Sequence, residues 1–139
     1  MTNVTPSTPA LVYRVQDRDG RGPFKPGMTD RWRDLDGNDF PPVQAEFGLS
    51  WLDEIPRGWH CGCAFRGPAH AAEWFSAAEC DRLARLGYEL VTLSGCRVIR
   101  ESRHQMIVAR PAPFRQRARV VSWPHRTQAA VERAARGGE

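Results

Sequence analysis

Residues 59–110, WHCGCAFRGPAHAAEWFSAAECDRLARLGYELVTLSGCRVIRESRHQMIVAR, decide the fold, because this stretch alone contains a complete series of recognisable elements. A short apolar strand is predicted at residues 61–65, and after a Gly-Pro turn a helical segment at residues 69–75. Ser-Ala-Ala-Glu at residues 76–79 has the pattern of a capping box. In that motif the serine hydroxyl and the glutamate carboxylate satisfy free N–H groups at the start of a helix.

A second helix and three strands complete the stretch. Cys80, Leu83 and Leu86 recur at helical spacing, and Gly87 is suited to end the helix. The strands are predicted at residues 88–93, 97–100 and 105–109. We therefore expect an α+β fold, with a small mixed or antiparallel sheet and one or two short helices.

The segment before this stretch is mostly irregular. Residues 1–9 are polar and interrupted by proline, so we expect them to be disordered. Residues 11–15 predict a short strand with alternating faces. Residues 16–58 form a long irregular N-terminal loop region with at most short helices, such as one at residues 49–55. A loop of this length in a compact domain is usually functional.

The chain of 139 residues is long enough for one domain with a real core. We place this domain at residues 10–110 and a basic C-terminal tail at residues 111–139, with a strand at 117–123 and a short amphipathic helix at 127–136. No stretch approaches the roughly 20 apolar residues of a membrane span, and no signal-peptide core is present. The expected protein is soluble and intracellular, with no membrane partner.

The charge is unevenly distributed. Residues 111–139 contain six Arg and two acidic residues, whereas the first 110 residues contain 14 basic and 14 acidic groups. Arg115, Arg117 and Arg119, with Phe114 and Trp123 as stacking residues, favour a nucleic-acid-binding arm. The alternative, a solvated tail that keeps the protein soluble, is the commoner role of such a segment. No recognisable nucleic-acid-binding motif is present.

The cysteines raise the question of a metal. Structural zinc sites usually pair their thiolates as C-x₂₋₄-C, whereas Cys61 and Cys63 are separated by one residue and share one face of a predicted strand. Small buried side chains are the favoured interpretation for this pair, and Cys80 and Cys96 are expected in the core. We predict no metal site, so zinc is not favoured.

Arg14 lies in the middle of the apolar first strand, and a buried charge must be paired. Either it pairs with an acidic residue, or its planar guanidinium faces a cleft and binds a phosphate or carboxylate. The paired alternative is the more frequent one. The candidate acidic partners are Glu46, Asp53 and Glu73.

Four motifs together identify a resemblance. They are L-V-Y-R-V-x-D-x-x-G-R-G-P-F at residues 11–24, C-G-C-A-F-x-G-x-A-H-A-x-x-W-F at 61–75, L-x-x-L-G-Y-x-L at 83–90 and S-x-H-Q-x-I-V-x-R at 102–110. This pattern resembles small phage and prophage proteins that are mostly uncharacterised. The resemblance implies a protein that acts on host machinery in the cytoplasm of a bacterial host.

The order of features also resembles the layout of ADP-ribosyltransferases, which implies NAD as cofactor. In that superfamily an arginine on the first strand holds NAD, and a strand–Ser/Thr–helix segment shapes the nicotinamide pocket. The resemblance assigns the first role to Arg14, with Tyr13 and Gly22 beside it, and the second to Phe65 and Gly67. Gly67 stands where the superfamily has a serine or threonine.

The same resemblance implies a catalytic residue. Gln105 corresponds to the Glu or Gln that lies over the ribose. Independently of the resemblance, His60 or His104 is a candidate for proton transfer, with His60 as the chosen residue, because imidazole can exchange a proton near neutral pH. A glutamine can hydrogen-bond a ribose hydroxyl, but it supplies no negative charge to stabilise an oxocarbenium-like ribose. ADP-ribosyl transfer is therefore expected only if the pocket works without that charge.

The competing class is a non-enzymatic inhibitor of a bacterial defence complex, similar in role to an anti-CRISPR protein. Tryptophan and arginine are the usual anchors of protein interfaces. In this hypothesis a host protein is bound by the Arg-rich tail and by the tryptophans Trp32, Trp51, Trp59, Trp74 and Trp123.

Overall fold

The computed structural model of the protein describes residues 9–35, 37–38 and 40–125. It has an α+β fold, as predicted. Residues 1–8 of the predicted disordered terminus and the predicted helix at residues 127–136 lie outside the described residues. The strands are β1 (Ala10–Gln16), β2 (His60–Ala64), β3 (Glu89–Glu101), β4 (Met106–Arg110) and β5 (Arg119–Val121). The α-helices are α1 (Val43–Phe47), α2 (Pro68–Trp74) and α3 (Ala77–Arg85), and two 3-10 helices span Thr29–Arg31 and Ser50–Glu54.

The five strands form one antiparallel sheet that curls around its own interior. The strand order is β1-β3-β4-β2, and β5 pairs with β3. Beyond the end of β2, Phe65 and Tyr13 exchange backbone hydrogen bonds, with N···O distances of 2.9 and 2.6 Å. This bridge connects the last strand of the order to the first. The interior is filled by an apolar cluster that includes Val12, Leu93 and Val108.

The central strand β3 corrects one prediction. The strands expected at residues 88–93 and 97–100 are a single strand of 13 residues. Gly95 lies inside it with φ +73, in the left-handed region that glycine enters without steric cost. The chain bends at Gly95, but β3 remains hydrogen-bonded to neighbouring strands on both sides of the bend. The first half of β3 therefore pairs with β1 and the second half with β4.

The outer face of the β1–β3 pair is covered by α2 and α3. Val15 and Leu90 pack there with Ala71 of α2 and Leu83 of α3. The predicted capping box of α3 is confirmed: the Glu79 backbone N–H donates to Ser76 Oγ at 3.1 Å, and the Ser76 N–H donates to Glu79 Oε1 at 2.9 Å. Gly87 follows α3 with φ +95, as expected for a helix stop.

We expect Ser76→Ala to lower the free energy of unfolding by about 1 kcal/mol, because the Glu79 N–H then loses its capping oxygen. Urea unfolding measures this, with Ser122→Ala as a matched control at an exposed position outside the helices. Equal stability of the two variants would mean that the cap contributes nothing.

The irregular region is anchored to α3 rather than lying loose on the surface. Trp32 is only 1% exposed, and its Nε1–H donates to Pro23 O at 3.2 Å. Arg82 of α3 donates to Trp32 O at 2.8 Å and forms an ion pair with Asp34. The sequence predicted a short helix near residues 49–55, which is the second 3-10 helix, but α1 was not predicted.

The chain after Arg110 is also packed against the sheet. Phe114 is buried in the interior cluster, and β5 adds to β3 within the strand predicted at residues 117–123. Arg110 is 2% exposed and donates to the carbonyl oxygens of Ser94, Ala112, Pro113 and Gln116. These bonds hold residues 111–116 against the end of the sheet.

Candidate functional site

A pocket of about 480 Å³ lies between the irregular region and the end of the sheet. Its walls are mainly apolar and include five aromatic residues, and Gln105 is among its polar lining residues. We call it the aromatic pocket and define it by Phe24, Trp32, Phe40, Phe65, Trp74 and Gln105. Its size and its apolar walls with a few polar groups are typical of small-molecule sites.

Different elements supply the aromatic walls. Phe65 follows β2 and is fixed by its backbone bridge to Tyr13, whereas Trp74 is the last residue of α2. The Trp74 Nε1–H donates to His104 O at 2.6 Å, which ties α2 to the turn between β3 and β4. Phe24 and Phe40 come from the irregular region, so the pocket forms only where that region packs against α2.

The rings contact one another mostly edge to face. The ring centroids of Phe40 and Trp74 are 5.0 Å apart at 62°, and those of Phe24 and Trp74 are 6.0 Å apart at 80°. The Phe65 and Trp74 centroids are 6.3 Å apart. Trp74 thus lies at the centre of the set, and such arrangements are the ones that aromatic quadrupoles favour.

Gln105 joins the sheet to the pocket wall. Its side chain is buried, and its Nε2 donates to Pro41 O at 2.9 Å and to Glu46 Oε1 at 2.6 Å. Both hydrogens of the amide are thereby used, so a ligand meets at most the carbonyl oxygen. The primary structural role of Gln105 is to hold residues 41–46 in place.

Two histidines lie behind the aromatic wall. His70 Nδ1 accepts the Arg66 backbone N–H at 3.0 Å, so the ring proton is on Nε2, which donates to His104 O at 2.7 Å. The His104 ring is stacked on Phe40, with centroids 4.7 Å apart. Its buried Nδ1 has no hydrogen-bond partner within the part of the chain that the structure describes.

Arg14 lies outside the aromatic pocket. It is 8% exposed, and its guanidinium donates to Gln16 Oε1 at 3.1 Å, Cys63 O at 2.7 Å and Gly20 O at 3.1 Å. Burial lowers the pKa of Arg14 from its ordinary value. The side-chain donors are matched by carbonyl oxygens, not by the acidic residues that the sequence suggested, and the role of Arg14 in NAD binding stays a prediction.

The other predicted cofactor residues divide between two places. Phe65 lines the aromatic pocket, while Gly22 lies beside Arg14: a Cβ there would be 3.4 Å from Arg14 Nη2. Tyr13 is half-buried on β1. Gly67 is the N-cap residue of α2, with open space around its Cα, so a serine would fit at this position.

The two predicted catalytic residues are not brought together. His60 is exposed at the start of β2 and pairs in register with Arg110, at the end of β4. Gln105 directly precedes Met106, which pairs with Ala64 at the opposite end of the same ladder. At about 3.3 Å per residue, the ladder separates them by roughly 15 Å, so they cannot act on one ribose.

The cysteines occupy different environments. Cys80 and Cys96 are buried, as predicted, and burial raises the pKa of Cys80 to about 12, which keeps its thiol protonated. Cys63 is half-buried at the aromatic pocket, but Cys61 is exposed, which corrects the expectation that both are buried. Among the described residues no three His, Cys, Asp or Glu side chains are grouped in a way that could hold a metal ion.

Sequence reasoning missed most of the pocket. Phe24, Phe40 and Trp74 were not assigned to one site, because nothing in their spacing indicates that they meet. The motif at residues 61–75 contains Phe65 and Trp74, so a search for pocket residues within it would have found part of the aromatic wall.

These features define a small α+β protein with a curled antiparallel sheet and an aromatic pocket. The chain belongs to the bacteriophage T4 Y00F protein family, whose sequence model matches residues 3–121. The predicted resemblance to small phage proteins is thereby confirmed, while the likeness to ADP-ribosyltransferases stays a prediction. No curated protein and no solved structure matches the chain. In the described residues no helix is long and apolar enough to cross a membrane.

Proposed function

We propose that this phage-family protein binds a planar aromatic ligand in the aromatic pocket and acts by binding rather than by catalysis. The observation that carries this proposal is the aromatic pocket itself, a space of about 480 Å³ between aromatic rings from three parts of the chain. A flat ring inserted there gains apolar burial and edge-to-face contacts. Because the amide hydrogens of Gln105 are bonded to Pro41 O and Glu46, this residue offers a ligand only its carbonyl oxygen.

The class of ligand includes nicotinamide, which the resemblance to ADP-ribosyltransferases also implies. Phe65 and Gln105, which that resemblance assigned to the nicotinamide and ribose ends of NAD, both line the aromatic pocket. NAD is therefore the first ligand to test. ADP-ribosyl transfer has less support for two reasons. The Arg14 guanidinium already donates to the carbonyl oxygens of Cys63 and Gly20, and His60 lies at the opposite end of the β2–β4 pair from Gln105.

The binding test uses the full chain, titrated calorimetrically with nicotinamide, NAD and adenosine, beside the variant Phe40→Ala. Phe40 contacts Trp74 and His104 at the pocket, so its removal should weaken ligand binding about tenfold or more. Phe47→Ala is the matched control, since Phe47 is also half-buried but lies on α1 outside the pocket lining.

The outcomes separate the proposals. Saturable binding that Phe40→Ala weakens and Phe47→Ala does not would support the aromatic pocket as the ligand site. Absence of binding by all three compounds at millimolar concentration would contradict it. Release of nicotinamide from NAD, measured in the same samples, would show turnover and restore the transferase hypothesis.

A second candidate function is inhibition of a host protein through the same region. Phe24, at the pocket, is 48% exposed, and Leu35 in the same segment is fully exposed. Exposed large apolar side chains mark a protein interface when they form one contiguous patch. Cross-linking from position 35 in infected cells, followed by identification of the captured protein, tests this function; capture that Phe24→Ser leaves unchanged would contradict it.

A further inference from the structure

A second surface of the molecule collects positive charge at one end of the curled sheet. This end is formed by residues 17–22, which follow β1, and residues 111–118, which follow β4. We call it the arginine end. Together with the buried Arg14 of β1 and Arg110 of β4, it carries the exposed Arg18, Arg21, Arg115 and Arg117. The acidic residues at this end are Asp17, Asp19 and Glu89, the register partner of Gln16. Six arginines less three acidic residues leave a formal charge of +3.

Direct contacts hold the two segments together. Gln16 Nε2 donates to Phe114 O at 2.9 Å, and a Cβ on Gly20 would lie only 2.9 Å from Arg115 N. Gly20 has φ +86, so a side chain is disfavoured there on both counts. The close backbone approach brings the turn at residues 17–21 beside Arg115, so the exposed arginines of the two segments share one surface.

The buried arginines beneath this surface form no ion pair with a carboxylate among the described residues. Arg14 and Arg110 donate to carbonyl oxygens and to the Gln16 amide, and both lie against the Phe114 ring, at 4.7 and 5.8 Å from its centroid. The ion pairs among the described residues involve Arg66, Arg82 and Arg100 instead. Asp17 offsets part of this charge: its carboxylate raises the pKa of Arg14, and its Oδ1 accepts the backbone N–H groups of Asp19 and Arg21. The excess of arginines over acidic residues leaves this end with a net positive potential.

Arg117 is presented in an unusual backbone conformation. Its φ is +56, and it is the only non-glycine residue in the described ranges with a positive φ. Arg110 fixes this turn by donating to the carbonyl oxygens of Pro113 and Gln116. Burial lowers the pKa of Arg110, and the positive charge of Arg117 lowers it as well. The turn that Arg110 holds therefore carries Arg117, and positive charge concentrated in this way favours the approach of an anion.

We propose that the arginine end binds the phosphate backbone of a nucleic acid, independently of sequence. Guanidinium groups match phosphate oxygens in a bidentate way. The aromatic residue of this end, Phe114, is buried beneath Arg14 and Arg110 and is not available for stacking on a base. Phosphate contacts without base contacts position a protein on a duplex but do not read its sequence. This surface is distinct from the aromatic pocket, and the proposal does not depend on the ligand proposed there.

The test is fluorescence anisotropy of a fluorescein-labelled random-sequence DNA duplex, titrated with the full chain at several KCl concentrations. The double variant Arg115→Gln/Arg117→Gln is compared with the control Arg85→Gln/Arg103→Gln, which removes two exposed arginines elsewhere. Each lost phosphate contact should make the slope of log K against log [KCl] shallower by about one. For Arg115→Gln/Arg117→Gln we expect the slope of log K against log [KCl] to become shallower by about two and the affinity at low salt to fall at least about tenfold. The control variant should change neither the slope nor the affinity.

Three results would overturn the proposal: no duplex binding by the unaltered chain at low salt, an equal loss in both double variants, or an unchanged slope in Arg115→Gln/Arg117→Gln. Thermal unfolding of each variant checks the fold, and exposed substitutions of this kind should leave stability nearly unchanged. A parallel variant, Arg126→Gln/Arg133→Gln, tests the last residues of the chain. If it alone removes binding, the arginine end is not the site.

Discussion

Arg14→Met is expected to lower the free energy of unfolding by about 3 kcal/mol, a large fraction of the stability of a domain of this size. The substitution removes the donors that satisfy the carbonyl oxygens of Cys63 and Gly20 and leaves those buried acceptors without partners. It also removes the guanidinium that lies 4.7 Å from the Phe114 ring centroid. Because methionine retains much of the apolar volume of the arginine side chain, the loss of unfolding free energy measures mainly the lost hydrogen bonds.

Guanidinium chloride unfolding measures this loss, and two further variants show whether it is specific to the guanidinium of Arg14. Arg14→Lys keeps the charge but not the planar fork, and we expect a loss of intermediate size. Arg85→Met, at an exposed position of α3, should change stability by no more than about 0.5 kcal/mol. If Arg14→Met were as stable as the unaltered chain and only lost NAD binding, Arg14 would be a ligand-binding residue, as the resemblance to ADP-ribosyltransferases implies.

Gln105→Glu is expected to destabilise the protein by about 3 kcal/mol at neutral pH. The Gln105 amide donates to Glu46 Oε1 at 2.6 Å, so the substitution replaces a donor with a second carboxylate at a buried position. Protonation of the introduced carboxyl group removes the repulsion and restores a donor. The loss of stability should therefore be larger at pH 7 than at pH 4, which urea titrations at the two pH values measure.

The exchange variant Gln105→Glu/Glu46→Gln provides the matched control. It restores one amide and one carboxylate at the same contact, so more than half of the lost stability should return. Lack of any recovery would show that the contact with Glu46 is not the cause. The transferase hypothesis predicts a different result for the single variant, because a glutamate over the ribose would increase cleavage of NAD.

Local patterns in the sequence were sufficient for most elements. The capping box at Ser76 and Glu79 and the glycine stop at Gly87 depend on hydrogen bonds and backbone angles within a few residues, so they are visible in the chain itself. The long β3 was divided into two predicted strands, because Ser94-Gly95 has the composition of a turn. Whether a glycine ends a strand or bends it depends on the neighbouring strands, here β1 and β4.

The partners of Arg14 could not be predicted in the same way. The sequence required that its buried charge be satisfied, and it suggested acidic residues as partners. In the folded chain the acceptors are carbonyl oxygens of Gly20 and Cys63, 6 and 49 residues away. Every residue carries a carbonyl, so no sequence pattern distinguishes the ones that will face a guanidinium.

The sequence by itself determined the α+β class, the capped helix, the strand that contains Arg14 and the membership of a phage protein family. The tertiary structure decided which residues share a site. Phe24, Phe40, Phe65, Trp74 and Gln105 meet in the aromatic pocket, while residues 17–22 and 111–118 meet at the arginine end. Helix caps and strand alternation follow from interactions between near neighbours in the chain. Pockets and charged surfaces follow from how a sheet curls and how a long irregular segment packs, which depends on contacts between distant residues.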